Sequence, residues 1–491
     1  MFGWLFDNKA QKRRKTASPA ACRLRPAVRG KFDSAQTTAD NRRHWANADP
    51  LSADAAANAE VRRTLRNRAR YEVANNAYAR GIVLTLANDV IGTGPRLQLL
   101  TPDGSTNRKI EQAFTAWAKA VDLPGKLRTM RMARAQDGEA FAVLLSNGNL
   151  DSPVQLDLKL IEADQVTTPG FAALCGPMAG ATQAVDGIEF DLFGNPAAYH
   201  ILRAHPGGST LLHTGGLEAY DRLPAESVIH WFRCDRPGQR RGLPDILPAL
   251  PLFAQLRRYT LAVILAAESA ANVAVLMKTN APAGGEAAEV EPMATMEFES
   301  NMAVFTPEGW EPSQIKAEQP ATTYDMFKRE ILNEIARCLN MPYNIAACNS
   351  SGYNYASGRL DHQTYFKNTR VEQSHIETVV LDRILTAWIN EAMLAGLVPS
   401  GAALGSLGGV GHQWFWEGHE HVDPAKEANA QATRLASNTT TLAAEYARQG
   451  KDGETQLRQR AKEQALMAEL GLTAAQVTPE PAEDDDEEGA E

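Results

Sequence analysis

The sequence predicts an α+β fold in which two long helices bracket a small strand-containing insertion. An apolar helix follows Pro244, Pro248 and Pro251, which fit only the entry turns of a helix because proline lacks a backbone N–H. A second helix, YDMFKREILNEIARCL, follows the insertion and stops before Pro342. Upstream, short β-branched and aromatic segments alternate with Gly, Asn and Pro turns, as in a mainly antiparallel sheet. The chain therefore predicts a mixed body that carries a pair of helices with a small head.

The first 57 residues show little apolar periodicity and predict an extended, basic arm. Lys and Arg outnumber acidic residues over residues 1–80, the segment from Glu480 onward is acidic, and the whole chain carries a net charge of −9. A protein that grips DNA normally presents a basic face, because each neutralised phosphate releases counterions. An acidic body suits a surface that DNA passes without adhering. The same charge also fits the ordinary solubility of a large protein.

From Asn58 the apolar pattern predicts one helix, which ends at Gly92 and Gly94 before the strand RLQLL. These glycines are not a nucleotide loop, because a dinucleotide fingerprint runs strand, glycines, helix. Helices are predicted next over 110–120 and 125–135. Short strands are then predicted over 139–145, 154–161, 187–190, 198–203 and 227–232.

The first long helix presents one apolar face, formed by residues at helical spacing: Leu252, Leu256, Tyr259, Val263, Ala267, Ala270 and Ala274. The face shrinks to alanine toward its end, where another backbone can approach closely. The segments NVAVLMK (272–278) and MAVF (302–305) predict the strands of the insertion. After Pro342, a loop of turn-forming residues leads into a long helix from about Ser357 to Ala395.

The carboxyl third predicts helices. Asp423 and Pro424 form a helix start, with Asp as N-cap and Pro at the first helical position. Further helices are predicted over 441–448 and 454–470, before the acidic tail. No segment is expected to cross a membrane, because the best candidate, LAVILAAESAANVAVLM, contains Glu268 and Asn272 and falls short of the ~20 apolar residues needed. The five scattered cysteines form no C-x-x-C and predict buried free thiols.

No sequence motif predicts a catalytic centre. The chain has no G-x-x-x-x-G-K-[ST], G-x-S-x-G or H-E-x-x-H motif, so it is not expected to be an ATP-driven motor by itself. We expect no cofactor. The candidate metal cluster is His412, His419 and His421, although exposed polar groups ahead of a capped helix explain these histidines as well. His230, in VIHWF, is interpreted as a core histidine.

Four segments occur in a specific order: RPGQRRGLPDILPAL, AESAANVAVL, NEIARCLNMPYNIAACNSSGYNYASGRLDHQ and FWEGHEHVDPAKEANA. Together with NRARYEVANNAYARGIVLTLANDVIGTG, this ordered set resembles the tailed-phage portal proteins of the lambda type, over roughly Arg62 to Leu472. The specificity lies in the order, since each motif alone is a packing or loop pattern. The resemblance implies a ring, usually dodecameric, with double-stranded DNA passing through its centre. It also implies a portal-type subunit with a wing, a two-helix stem, a small clip and a helical crown.

Carried onto this chain, the resemblance implies nine parts. They are a basic arm (1–57), an α+β wing (58–244), the first stem helix (245–278), the clip (279–319), the second stem helix (320–341), the channel loop (342–357), a long helix and return to the wing (358–422), a helical crown (423–475) and an acidic tail (476–491).

The resemblance also implies three sets of site residues. The channel loop is expected to face DNA through Asn349, Ser350, Ser351, Gly352, Tyr353, Asn354 and Tyr355. Asn and Ser side chains and backbone N–H groups bind phosphates without reading sequence, while the tyrosines either stack or pack against the neighbouring helix. The clip is expected to dock a terminase through Glu286, Glu289, Glu291, Glu297 and Glu299. The surface between subunits is expected to include Arg240, Arg241, Leu256, Tyr259 and Val263, although the two arginines fit a turn equally.

The expected function is a non-enzymatic portal at one capsid vertex, through which DNA is packaged by a separate terminase and later ejected. The expected partners are further copies of the chain, double-stranded DNA held weakly, the terminase large subunit, a head-completion adaptor, and the major capsid and scaffold proteins. The expected location is the host cytoplasm during assembly and then the virion. Two alternatives remain: a metal-dependent hydrolase using His412, His419 and His421, and a sequence-independent DNA-binding scaffold acting through the basic arm.

Overall fold

The computed structural model describes residues 39, 42–168, 183–208, 220–272, 276–279, 310–313, 321–398, 411–418 and 424–472. The chain divides into two compact units, Met1–Leu51 and Ser52–Glu491. In the described part of the first unit, residues 42–47 form turns. Asp49 accepts a hydrogen bond of 2.9 Å from the backbone N–H of Leu51. All the helices and strands given below belong to the second unit.

Helices open the second unit: α1 (Ala53–Ala56), α2 (Ala59–Asn75), α3 (Ala77–Ile91), α4 (Gly104–Ala120) and α5 (Leu123–Asp137). The single helix predicted from Asn58 is divided at Asn76, whose backbone is extended and whose side chain caps α3. This residue satisfies N–H groups that the first turn of α3 leaves unpaired. The arm was predicted to extend to residue 57, but α1 begins earlier and is capped by Ser52.

Eleven strands are present in the described ranges: β1 (Arg96–Leu99), β2 (Glu139–Ser146), β3 (Leu156–Ile161), β4 (Gln183–Val185), β5 (Ile188–Phe190), β6 (Pro196–Leu202), β7 (Tyr220–Pro224), β8 (Val228–Phe232), β9 (Leu276–Thr279), β10 (Trp310–Ser313) and β11 (His412–Phe415). They form two larger sheets, β3-β2-β8 and β4-β5-β6-β7, and two strand pairs, β1-β11 and β9-β10. Every pairing between these strands is antiparallel. The predicted α+β class with a mainly antiparallel sheet is confirmed.

The second half of the chain adds α6 (Leu250–Asn272), α7 (Ala321–Arg337), α8 (Tyr343–Ala346), α9 (Tyr355–Ile376), α10 (Asp382–Leu394), α11 (Pro424–Ala436), α12 (Leu442–Arg448) and α13 (Gly453–Glu469). The helix predicted from about Ser357 is continuous but contains a π-helical turn, Glu377–Leu381. A π-turn accommodates one extra residue, and here it keeps Val380, Leu381 and Ile384 buried on one side. The first long helix was predicted from Asp245 but begins after a 3₁₀ turn, Leu247–Ala249.

Two large apolar clusters hold these elements together. The first contains three fully buried tryptophans, Trp117, Trp231 and Trp388. The indole of Trp117 donates a hydrogen bond of 2.7 Å to the carbonyl of Leu156, which satisfies its buried polar atom. The second cluster packs α3 against the first residues of α6 and the last residues of α7. The base of the helix pair is therefore part of the body's own core.

Three of the five cysteines predicted to be buried lie in the described residues and differ from the prediction, while Cys22 and Cys175 lie outside the described residues. Cys234 and Cys348 are exposed, and Cys338 is partly buried. Burial raises the pKa of the Cys338 thiol to about 11, so this thiol is held in its neutral form at physiological pH.

Candidate functional site

Helices α6 and α7 contact each other through aromatic side chains near the body. Tyr259 stacks on Tyr324 with ring centroids 5.7 Å apart, and it meets Phe327 at 4.7 Å with the rings tilted by 61°. The hydroxyls of Thr260 and Tyr324 lie 3.2 Å apart. Leu256, expected at the surface between subunits, is only 3% exposed and packs in the second core cluster. Its side chain is therefore unavailable to a second subunit.

Beyond Tyr259 the same helix exposes an apolar stripe. Leu261, Ile264 and Leu265 are 55%, 48% and 60% exposed, while Val263 between them is half-buried. Neighbouring exposed apolar side chains mark interaction surfaces, because covering apolar area stabilises by about 25 cal/mol per Å². We define Leu261, Ile264 and Leu265 as the α6 stripe.

The stretch Leu247–Glu268 is long and apolar enough to cross a membrane, judged by length and composition only. In its most apolar part, 22% of the residues are buried. The expectation that no segment crosses a membrane rests on residues 261–277, where polar side chains interrupt the apolar run. The stretch Leu247–Glu268 begins earlier in the chain, because it includes the 3₁₀ turn and the buried first residues of α6.

The insertion between the two helices contains an antiparallel pair of strands, with Thr279 opposite Trp310 and Leu276 opposite Ser313. Strand β9 overlaps the predicted segment NVAVLMK. Strand β10 was not predicted, because its sequence WEPS contains Pro312, and proline is confined to sheet edges. The predicted strand MAVF lies outside the described residues, as do the expected docking residues Glu286, Glu289, Glu291, Glu297 and Glu299.

Between α7 and α9 lies the segment expected to form the channel loop. It contains a single helical turn, α8, followed by exposed residues at Asn349, Ser350 and Ser351. The Asn349 side chain accepts hydrogen bonds from the backbone and the hydroxyl of Ser351, at 2.9 and 2.6 Å. Gly352 has a φ of +85°, a left-handed conformation that favours glycine. The loop is therefore shaped by its own short-range contacts.

Two of the expected channel-loop residues lie at the start of the following helix. Asn354 is the N-cap of α9, and it forms a capping box with Ser357, whose backbone N–H donates to the Asn354 side chain at 2.8 Å. Tyr355 is the first helical residue. The capping pattern Asn-x-x-Ser explains this boundary, because both side chains are used to satisfy the free N–H groups of the first turn.

Tyr353 and Arg329 connect the loop to α7. The Arg329 guanidinium lies over the ring of Tyr343, 5.1 Å from its centroid. It also lies 3.4 Å from where a side chain on Gly352 would begin. Tyr353 is half-buried and, with Phe327, Arg329 and Tyr343, lines a hollow of about 760 Å³. Of the two alternatives for this tyrosine, its position beside α7 favours packing.

A buried network of charges fixes the segment that precedes α6. The Glu139 carboxylate, at the start of β2, is fully buried and accepts hydrogen bonds from the Arg241 guanidinium at 2.6, 2.9 and 3.1 Å. His230 lies 3.1 Å from the same carboxylate and stacks between Phe141 and Phe232. Arg241 was expected to contact a second subunit, but its side chain is only 1% exposed. Its role is to join the entry of the helix pair to the sheet of its own subunit.

A second set of ion pairs supports the same segment. Arg131, on α5, pairs with Asp245 at 3.0 Å and with Glu372 of α9 at 2.8 Å. Arg233 also contacts Asp245, at 3.0 Å. The Arg240 guanidinium stacks over the ring of Phe190 at 4.5 Å, so it also packs within the subunit. These contacts couple α5, α9 and the entry of α6 in one network.

Two glycines permit the segment before α6 to approach the start of β2 closely. A side chain on Gly242 would begin 2.0 Å from the carbonyl oxygen of Gly138, and one on Gly138 would begin 2.5 Å from the backbone of Leu243. Only glycine fits such contacts between two backbones. The motif RGLPD is therefore explained by its packing against the start of β2.

The protonation states of Glu139 and His230 follow from their burial and from their charged and hydrogen-bonded neighbours. Burial alone would raise the pKa of Glu139, but the charge of Arg241 and the hydrogen bonds from His230 and Arg241 hold it well below its usual value of 4.5. Burial lowers the pKa of His230 below 6.5, although the hydrogen bond to Glu139 acts in the opposite direction. The folded protein therefore favours an ionised Glu139 beside a neutral His230.

The expected histidine cluster is not brought together by the described residues. His412 lies 3.1 Å from Asp382, while His419 and His421 lie outside the described residues. The structure instead groups Glu162, Asp164 and His205, whose potential ligand atoms lie within 4.8 Å of one another. Arg70 pairs with both carboxylates, at 3.2 and 2.7 Å. Arg66 also pairs with Asp164, at 2.6 Å. Two guanidiniums therefore accompany the two carboxylates, as in a structural ion-pair cluster.

Comparisons with known proteins identify the family of the chain. Residues 39–373 match the family described as phage portal protein, lambda family. The chain is 26% identical over 460 residues to a "Probable portal protein" of Halomonas phage phiHAP-1, covering 87% of this chain and 86% of that relative.

Among solved structures, the chain is similar to one titled "Neck of empty GTA particle computed with C6 symmetry". The TM-score is 0.47 at 10% identity, over 77% of this chain and 91% of that chain. It is also similar to "Neck of native GTA particle computed with C12 symmetry", with a TM-score of 0.44 at 12% identity, over 80% and 94% of the two chains.

The family match places the protein in a class of structural virion components. The chain belongs to the lambda family of phage portal proteins. It has a portal role at the capsid vertex and in the passage of DNA. The resemblance inferred from the ordered motifs is thus confirmed.

Proposed function

We propose that the chain performs its portal role as a closed ring of identical subunits, with twelve copies as in the usual ring of this family. In this ring α6 and α7 form the stem, β9 and β10 begin the clip, and the segment from Pro342 to Tyr353 faces the channel. The observation that carries the proposal is an apolar helix face left exposed on a helix whose base is locked into the body.

The ring contact is heterologous, so one face of each subunit meets a different face of the next. We assign one face to the α6 stripe. The other face is the hollow on α7 beside Phe327, bordered by Met326, which is 63% exposed. An obligate contact of this kind buries more than ~2,000 Å² per pair. Tyr259 and Val263 border the stripe and keep their expected places at this interface, while Arg240 and Leu256 support it from within the subunit.

The channel loop supplies weak contacts to passing DNA. Asn349, Ser350 and Ser351 are exposed polar residues, and such side chains bind phosphates without reading sequence. The clip, including its acidic residues, meets the terminase large subunit during packaging and a head-completion adaptor afterwards. The body contacts the major capsid and scaffold proteins during assembly in the host cytoplasm. The portal itself hydrolyses no ATP, and its partner terminase supplies the work.

The ring is tested by native mass spectrometry and negative-stain electron microscopy of the purified protein. We expect large rings with a central hole and no ATP turnover. Leu265→Glu is expected to abolish the rings, because it places a charge in the apolar contact. Leu192→Glu is the matched control, since Leu192 is 80% exposed on a turn of the body. Monomers at micromolar concentration, with steeply salt-dependent DNA binding, would instead support a scaffold that acts through the basic arm.

A further inference from the structure

An exposed basic stripe follows the channel loop along α9. Arg359, Lys367 and Arg370 are all exposed. At about 100° per residue, the three lie within about 80° of one another around the helix axis, with Gln363 between them. From Arg359 to Arg370 the stripe extends over about 16 Å. We call these three residues the α9 stripe.

Among the described residues, nothing neutralises the α9 stripe. Within the part of the chain that the structure describes, none of its three cations makes a hydrogen bond, ion pair or ring contact. The two carboxylates of α9, Asp361 and Glu372, lie about 200–220° from Arg359 around the axis, and Glu372 is held by Arg131. Other arginines of the body, such as Arg241, are used in buried ion pairs. The stripe is therefore a row of charges on one helix face that have no partner in the described ranges.

We infer that the α9 stripe binds the phosphate backbone of double-stranded DNA, an inference that rests on the proposed function. Duplex DNA carries one negative charge per ~1.7 Å of its axis, so a row of cations about 16 Å long meets several phosphates in any register. Lys and Arg contacts to phosphates carry no sequence information, as a conduit for any genome requires. The stripe continues directly from the exposed polar loop, and both lie on a chain with a net charge of −9. Its contacts guide DNA locally while the acidic protein as a whole does not hold it.

A second copy of the chain is the rival occupant, because Leu360 and Val371 border the stripe and are 66% and 62% exposed. A variant that neutralises the cations and keeps the apolar residues distinguishes DNA from a second copy of the chain. The test variant is Arg359→Gln/Lys367→Gln/Arg370→Gln. The control is Arg63→Gln/Arg68→Gln/Lys119→Gln, which removes three exposed cations from α2 and α4. Both variants change the net charge equally.

Binding is measured by fluorescence anisotropy with two blunt duplexes of unrelated sequence, over a series of low to moderate salt concentrations. For the test variant we expect the slope of log K against log salt to become shallower by roughly 1–3, at about 0.9 per lost phosphate contact. The control should keep the slope of the unmodified protein, and the two duplexes should behave alike.

Native mass spectrometry of the same samples separates the possible outcomes. Intact rings with a shallower slope support the inference. Intact rings with an unchanged slope, or an unmodified protein that binds neither duplex at low salt, overturn it. Loss of rings in the test variant alone overturns it in favour of a contact between copies. If the unmodified protein forms no rings, the proposed function fails, and the slope comparison between the two variants still decides the role of the stripe.

Discussion

Glu139 is a fully buried carboxylate whose charge is balanced chiefly by one guanidinium. Arg241→Ala is expected to lower the free energy of unfolding by about 3–5 kcal/mol, because a buried ion then loses its main partner. Urea denaturation provides the measurement. Arg203→Ala is the matched control, because Arg203 pairs with Asp221 at 2.7 Å on the surface, where an ion pair contributes little. Equal losses in the two variants would contradict a structural role for the network.

His230 makes the same network sensitive to acid. Burial lowers its pKa in the folded state below 6.5, so the unfolded chain binds the proton more readily. The stability that depends on neutral His230 is therefore fully present above pH 6.5 and is lost as the pH falls below it. The pKa of Glu139 is also lowered, and its contribution is lost only at still lower pH, below its usual value of 4.5.

His230→Gln keeps a donor for Glu139 but removes the titrating ring. We expect this variant to show a weaker dependence of unfolding midpoint on pH between about 5 and 7, while the loss at lower pH remains. The remaining slope includes His375, whose pKa is also lowered by burial. Unfolding midpoints measured across this pH range provide the check, and parallel curves for the two proteins would show that His230 does not titrate in this window.

The sequence does not reveal this network for a physical reason. Charged side chains are usually exposed, so Glu139 and Arg241 have no pattern that marks them as core, and they are 102 positions apart. Arg240 and Arg241 were expected between subunits because they precede the first stem helix, although a turn explained them equally. The local signal in the sequence was the pair of glycines next to Glu139 and Arg241. Gly138 and Gly242 leave no room for a side chain where the two backbones meet.

At the level of elements, Gly352 determines the shape of the channel loop. Gly352→Val is expected to reshape the loop, because a β-branched residue is strained at a φ of +85° and its side chain would begin 3.4 Å from Arg329. Ring assembly should persist, because the α6 stripe and the α7 residues that line the hollow keep their sequence, while the amount of DNA packaged should change. Gly358→Ala is the control, because nothing lies near that position in the helix. A ring lost in Gly352→Val would mean that the loop takes part in assembly.

Long helices were predicted well because apolar periodicity is a local signal, as the agreement for α7 and for α9 with α10 shows. The π-helical turn at Glu377–Leu381 was missed because a helix can accommodate one extra residue without any residue type that marks the position. Strand β11 was missed because its partner is far away in sequence: Gln413 donates a hydrogen bond to Gln98, 315 positions earlier. The same limit applies to the α9 stripe, because only the folded structure shows that its cations have no partner among the described residues.

At the level of the whole molecule, the insertion is the part whose removal distinguishes assembly from packaging. Thr279 lies directly opposite Trp310 in the antiparallel pair, so residues 280–309 can be replaced by the two residues Asn-Gly, which favour a tight hairpin turn. The pair β9–β10 and both stem helices keep their sequences in this variant. We expect it to form rings of normal mass, because the α6 stripe and the hollow on α7 are unchanged.

The same rings are expected to package little or no DNA, because the proposed function assigns terminase binding to the clip, which lies between the two stem helices in the sequence. Packaging is measured as nuclease-protected DNA in a reconstituted reaction with proheads and terminase. A control replaces the acidic tail from Glu480 onward with an uncharged linker, which should leave packaging unchanged. Normal packaging by the shortened rings would show that the terminase does not bind this segment. Failure to form rings would show that the insertion belongs to the contact between subunits, and the stem would then need the clip to close the ring.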